Sequence, residues 1–205
     1  AACVGSLERG EPDLSTPGDV LFLTKPLGTG VTIMAIRAGI AGADGERAAN
    51  SCMAQLNAGA ADLARRSGAR CATDVTGFGL IGHAMQMARA SGVALEIGAE
   101  GVPVLDGAIG WAAEGLLSAA AYSNREYAAG AVRFDGDVPL AIQDLLFDPQ
   151  TSGGMLLCCP PARVRDLMGW AREGIATRCG VVGRVVGAVP GGPAVSVRMR
   201  AFEAP

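Results

Sequence analysis

Residues 72–88 read Ala-Thr-Asp-Val-Thr-Gly-Phe-Gly-Leu-Ile-Gly-His-Ala-Met-Gln-Met-Ala and join a strand to a helix through a glycine-bearing loop. Arg70 to Asp74 reads as a short strand and Val75 to Gly79 as the loop. Leu80 to Ala90 reads as a helix whose buried face carries Leu80, Ile81, Ala84, Met87 and Ala88. Ser91-Gly92 stops that helix, and Val93 to Ile97 returns as a strand. A strand, loop, helix and strand in succession call for a sheet covered by helices.

The same stretch carries the chemistry. Gly77-Phe78-Gly79-Leu80-Ile81-Gly82 satisfies G-x-G-x-x-G, with Glu96 about twenty residues on, so a dinucleotide-binding module is one reading. Against it, the strand ends in Asp74, whose charge would repel a pyrophosphate. Asp74, flanked by Thr73 and Thr76, suits a Mg²⁺ ligand beside bound phosphates. The alternative is a carboxylate that caps the following helix or loop. His83, in the first turn, reads as structural or interfacial.

An echo of this pattern stands upstream. Leu23-Thr24-Lys25-Pro26-Leu27-Gly28-Thr29-Gly30-Val31 aligns without gaps on Ala72 to Leu80, each reading strand, Thr, a charged residue and then G-x-G at a helix start. Free backbone N–H groups at helix starts suit phosphate oxygens. Lys25, Gly28, Thr29 and Gly30 in the first loop and Thr76 and Gly77 in the second are therefore the candidate phosphate-facing residues. They act together only if the strands that carry the two loops end on the same side of the sheet.

The rest of the chain supplies the frame. Val20 to Thr24 is a buried strand; Val31 to Ala41 is a helix, and Arg47 to Arg66 a stronger one with Cys52, Leu56, Ala60 and Leu63 on its stripe. Further helices are expected over Leu105 to Glu114, Pro139 to Phe147 and Ala162 to Glu173. Thr151-Ser152-Gly153-Gly154 turns into a strand from Met155 to Cys159. Asp148 to Gly154 is either a binding loop or an ordinary helix-to-strand connection. Strands over Cys179 to Val189 and Ala194 to Arg200 close the chain as a hairpin. The fold class is thus α+β, a mixed sheet packed with helices. Residues 1–17 read as a leader or linker, and residues 18–205 as the domain.

Composition narrows the function. The 205 residues are 50% hydrophobic and 18% charged, enough to bury a core. A net charge of −3 argues against a nucleic-acid partner. Lys25 is the only lysine among 17 basic residues, and His83 the only histidine. The six cysteines form no C-x-x-C pair, which removes zinc-site spacing. No apolar run reaches the length of a membrane span.

Three segments together resemble one family. Asp19 to Val31 (DVLFLTKPLGTGV), Ala72 to Ala88 (ATDVTGFGLIGHAMQMA) and Leu145 to Leu157 (LLFDPQTSGGMLL) are similar, in order and spacing, to the selenophosphate synthetases, or selenide, water dikinases. Hydrogenase-maturation and aminoimidazole ribonucleotide synthetase proteins share that superfamily and are weaker matches. The resemblance implies the superfamily's carboxyl-terminal domain fold and a reaction in which ATP, selenide and water give selenophosphate, AMP and phosphate. It places the family's metal-binding aspartate on Asp74 and implies Mg²⁺ and ATP at a site shared with an amino-terminal domain that dimerises. That half would supply the catalytic Cys or selenocysteine and the essential Lys, so no catalytic residue is expected here. A cytoplasmic homodimer with ATP and selenide as partners follows from the same resemblance. A non-catalytic binding or regulatory member of the superfamily is the alternative. One departure is the segment Ser118-Ala119-Ala120-Ala121-Tyr122-Ser123-Asn124-Arg125, where the family tends to carry Gly-Gly-Thr.

Overall fold

Val20-Leu21-Phe22-Leu23 and Met155-Leu156-Leu157-Cys158-Cys159 carry no charged or hydroxyl side chain, and the fold covers both faces of each. Leu21, Leu23, Leu156 and Cys158 enter one apolar cluster, while Phe22, Leu157 and Cys159 enter another on the opposite face. Alternation along an extended backbone produces this division, and burial on both sides explains the unbroken apolar runs.

The computed structural model describes residues 16–174, 178–188 and 190–202. Apart from Thr16 and Pro17, the leader expected over residues 1–17 lies outside them. The described elements are β1 (Val20–Leu23), α1 (Thr29–Arg37), α2 (Gly42–Ala54), α3 (Ala58–Ser67), β2 (Cys71–Asp74), α4 (Gly79–Ser91) and β3 (Ala94–Gly98). Next come α5 (Ala108–Ala113), α6 (Ala119–Tyr127), β4 (Val132–Phe134), α7 (Leu140–Phe147), β5 (Met155–Cys159), α8 (Val164–Gly174), β6 (Gly180–Val186) and β7 (Val195–Arg198). The strands form one mixed sheet in the order β2-β5-β1-β6-β3-β7-β4. This is the expected α+β architecture.

Helices cover both faces. α4 packs Leu80, Ile81, Ala84 and Met87 on one face, with Leu146 and Phe147 of α7 beside them. Leu63 and Ala64 of α3 join Leu167 and Ala171 of α8 on the other. A third cluster gathers Val31, Cys52, Ala108 and Leu145 from α1, α2, α5 and α7.

Two expectations are corrected. The helix expected over Arg47 to Arg66 is two helices, broken at Gln55, whose ψ of 126° is extended. Leu56 is 79% exposed and belongs to no stripe. The break is enforced from outside, because Lys25 Nζ donates to Gln55 O and Asn57 Nδ2 donates to Gly153 O. The closing hairpin is also absent. β3 lies between β6 and β7, antiparallel to the first and parallel to the second. Gly183 permits this, since a Cβ there would stand 2.3 Å from Glu96 O on β3.

β5 runs antiparallel to both β1 and β2, so these two strands end on the same edge of the sheet. With β5 between them, their ends are two strand spacings apart, about 9–10 Å. The condition for the two glycine loops to act together is met.

Gly183→Ala should destabilise the chain by about 1–3 kcal/mol, because the new methyl meets backbone rather than a flexible side chain. Urea denaturation of the variant beside the parent measures it.

Candidate functional site

Three loops meet at the edge where β1 and β2 end: residues 24–28 after β1, 75–78 after β2 and 148–154 before β5. The last of these knits the other two together. Asp148 Oδ2 accepts the Gly30 N–H at 3.0 Å and a Gln150 Nε2 hydrogen at 2.9 Å. Gln150 Oε1 accepts the N–H groups of Gly28 and Thr29 at 3.0 and 3.3 Å, with the Thr29 hydroxyl at 3.2 Å. The Thr151 N–H donates to Thr29 Oγ1 at 3.0 Å.

These bonds leave the first loop without open helix-start donors at Gly28, Thr29 and Gly30. The helix-start N–H groups of Gly28, Thr29 and Gly30 already donate to the chain's own side chains, and Thr29 is buried. The glycines make room for protein rather than for a ligand. A Cβ on Gly30 would lie 2.3 Å from Asp148 Oδ1, and one on Gly28 2.7 Å from Ala108 Cβ. Asp148 thus occupies the positive end of α1 that a phosphate would otherwise fill. Its side chain is 0% exposed. Burial pushes its carboxyl from the ordinary 3.8 up to about 6, against the downward pull of bonds from Val31, Gln150 and Gly30.

Lys25 is also placed differently from expectation. It is 1% exposed, and its ammonium donates to Gln55 O at 2.7 Å and Ser152 O at 2.8 Å. Burial lowers its pKa, while Cys52 and Asp74 raise it. Lys25 therefore fixes the break after α2 and the left-handed turn at Ser152, φ 51°. The glycines that follow let the loops touch. A Cβ on Gly153 would be 2.0 Å from Val75 O, and one on Gly154 2.6 Å from Lys25 N.

The second loop is arranged in the opposite sense. The Val75 N–H donates to Gly154 O. Thr76 O accepts from Gln150 N and Gly79 N, and Gly77 O accepts from Asn124 Nδ2 at 2.8 Å. The carbonyls of Thr76 and Gly77 are thereby held inward. Among the described residues, the N–H groups of Thr76, Gly77 and Phe78 have no acceptor. Three unengaged amides precede α4, whose own N-cap makes no side-chain bond. Gly79 has φ +68° and packs so closely on Phe147 that a Cβ would be 2.7 Å from its carbonyl carbon. That contact seats the start of α4 against the end of α7.

Asp74 stands exposed at the end of β2, the outermost strand beside β5. Its carboxylate accepts no hydrogen bond among the described residues and caps no helix. Its field acts on Lys25 and on His83. No group of three or more His, Cys, Asp or Glu side chains able to hold a metal occurs among the described residues. An exposed carboxylate without a hydrogen-bonding partner is chemically suited to bind a divalent cation, but only as one ligand among several.

Two side chains that hold these loops in place carry no role in the sequence reading. Asn124, in the segment that departs from the family pattern, donates to both Gly77 O and Phe147 O and so latches the loop to α7. Gln150 lies 122 positions from the amide it accepts, beyond the reach of any local motif. The dinucleotide reading fails on topology. Its fingerprint requires a helix linking neighbouring parallel strands, whereas three strands separate β2 from β3.

The model of the AIR synthase related protein, carboxyl-terminal domain, matches residues 16–192. The chain belongs to this family. It is 37% identical over 170 residues to the selenide, water dikinase of Clostridioides difficile, covering 83% of the chain and 49% of that protein. The selenide, water dikinase of Geobacter metallireducens is 43% identical over 157 residues, 77% of the chain and 46% of that protein. The chain thus spans about half the length of the curated relatives it matches. Among solved structures, the hydrogenase maturation protein HypE in complex with ATP superposes with a TM-score of 0.64 at 18% identity, covering 95% of this chain and 54% of that one. Thiamine-monophosphate kinase from Stenotrophomonas maltophilia gives 0.58 at 20% identity, covering 93% and 53%. At those identities the likeness is one of fold. No described helix is long and apolar enough to cross a membrane.

Asp148 yields a signed prediction. Because its folded pKa is raised, the folded chain holds this proton over a range where the unfolded chain has released it. Its contribution to stability therefore falls as pH rises from about 4 through about 6. Asp148→Asn cannot titrate. Its stability deficit relative to the parent should shrink between pH 5 and pH 7.5 by about 1–3 kcal/mol, measured by denaturant unfolding at both pH values. Taking the difference cancels His83, whose pKa burial lowers and whose effect has the opposite sign.

Proposed function

We propose that the chain is the carboxyl-terminal half of an ATP-dependent selenophosphate synthetase and that it binds the phosphates of ATP at the 75–78 loop. The observation that carries this reading is the pairing, among the described residues, of an exposed, unpaired carboxylate with three unengaged amides on one loop. Identity of 37–43% to selenide, water dikinases supports the reaction class, ATP + selenide + water giving selenophosphate, AMP and phosphate. The ATP complex of HypE shows that a protein of this fold accepts that nucleotide.

In this reading the Thr76, Gly77 and Phe78 N–H groups donate to phosphate oxygens from a cradle already formed, so little reorganisation accompanies binding. Asp74 would hold Mg²⁺, which neutralises phosphate charge and orients the transferring group when bound. Lys25, Asp148 and Gln150 keep the supporting loop rigid rather than touching the nucleotide. The nucleophile's activation falls to residues outside this chain, supplied by an amino-terminal half through which the enzyme dimerises in the cytoplasm.

In the full-length enzyme, Asp74→Asn should lower magnesium-dependent selenophosphate formation by roughly a hundredfold or more while leaving thermal unfolding unchanged. The readout is selenophosphate by phosphorus NMR. Near-parental turnover would return Asp74 to a surface carboxylate. Residues 1–205 alone should form no selenophosphate.

A further inference from the structure

His83 is the only histidine of the chain and is 1% exposed. Its Nε2 lies 3.2 Å from Thr76 Oγ1, and its Nδ1 is buried with no hydrogen-bond partner among the described residues. The exposed ring of Phe78 stands edge-on to the imidazole at 5.9 Å, closing it from solvent on that side. Burial lowers the pKa of His83 more than Asp74 raises it, which favours the neutral ring.

A neutral imidazole has one N–H donor and one bare nitrogen. A buried N–H without an acceptor is among the rarest defects in folded proteins, whereas an unpaired acceptor is tolerated somewhat more often. The bare nitrogen is therefore Nδ1, and the hydrogen sits on Nε2. It follows that His83 donates to Thr76 Oγ1. The hydroxyl's own hydrogen then has no acceptor among the described residues. Thr76 is exposed and lies beside the open amides of Gly77 and Phe78. The other tautomer would reverse this. Nε2 would take the hydroxyl hydrogen, leaving only lone pairs facing an incoming anion.

We propose that His83 is a positioning residue that acts through Thr76, fixing the Thr76 hydroxyl as an additional donor to the phosphate oxygens of ATP. This rests on the reading of the 75–78 loop as the phosphate cradle. The donor is set by a group that never touches the nucleotide. The arrangement explains why a histidine is buried behind the loop with one nitrogen unpartnered. His83 and Thr76 function as one unit, so removing either should remove the same interaction.

A single histidine makes the first test direct. A long-range proton–nitrogen correlation spectrum of the ¹⁵N-labelled chain at neutral pH should show one neutral imidazole protonated at Nε2. Protonation at Nδ1, or an imidazolium, overturns the inference whatever the enzyme's activity. The second test is a cycle in the full-length enzyme, read as affinity for a non-hydrolysable ATP analogue by calorimetry. Thr76→Val and His83→Leu should each weaken binding about tenfold, and the double variant should be no weaker than either single one. His83→Gln, which keeps an N–H at that reach, should restore most of the loss and also guards against misfolding of the leucine variant. Additive losses, or a silent Thr76→Val, would sink the proposal. An unmodified enzyme that binds the analogue but makes no selenophosphate would overturn the functional reading and leave this one standing. One that binds no ATP would overturn both.

Discussion

The rest of the site depends on how closely the 148–154 loop approaches the ends of β1 and β2. Gly153 and Gly154 lie where any side chain would collide with Val75 O or with the Lys25 backbone. That approach lets β5 enter the sheet between β1 and β2, antiparallel to both. Once β5 is there, the two loops that follow its neighbours must share an edge. Lys25 then bonds Ser152 O, and Val75 bonds Gly154 O, so the close approach is fixed by hydrogen bonds on both sides. Gly153 and Gly154 are thus a packing requirement, not an allowance for flexibility.

From that constraint comes an asymmetry between two loops of similar sequence. The first is closed by the chain itself: Asp148 and Gln150 take its helix-start amides and are buried in doing so. The second has its carbonyls drawn inward by Gln150 N, Gly79 N and Asn124, which leaves its amides facing outward. A buried carboxylate is costly to keep charged, and the raised Asp148 pKa reflects that cost. The amides at the start of α1 thus find internal acceptors, whereas the three that precede α4 stay open.

Much of the frame was legible in the residues. The unbroken apolar runs at 20–23 and 155–159 marked strands covered on both faces, and the stripe from Leu80 to Ala88 marked α4. Asp74 read correctly as an exposed carboxylate at a strand end, because strand and loop signals met at that position. What was not legible depended on partners far along the chain. The helical period runs on through Leu56, but bonds from Lys25 and Asn57 hold the chain extended there. α6 opens on three alanines followed by mostly polar residues and β4 is three residues long, too little pattern to stand out. The parallel pairing of β7 with β3 reflects tertiary strand order, which periodicity does not encode. The closure of the first loop by Gln150 and Asp148 lay equally beyond local inspection.

In the proposed function, phosphate binds at the open loop and not at the closed one. A crystal structure of the full-length enzyme with magnesium and a non-hydrolysable ATP analogue tests it most directly. Phosphate oxygens are expected within hydrogen-bond distance of the Thr76, Gly77 or Phe78 N–H groups, with the metal on Asp74 and the Gln150 and Asp148 bonds to residues 28–30 intact. Phosphates seated on Gly28 to Gly30 with Asp148 displaced, or a nucleotide bound while the 76–78 amides face only water, would contradict it.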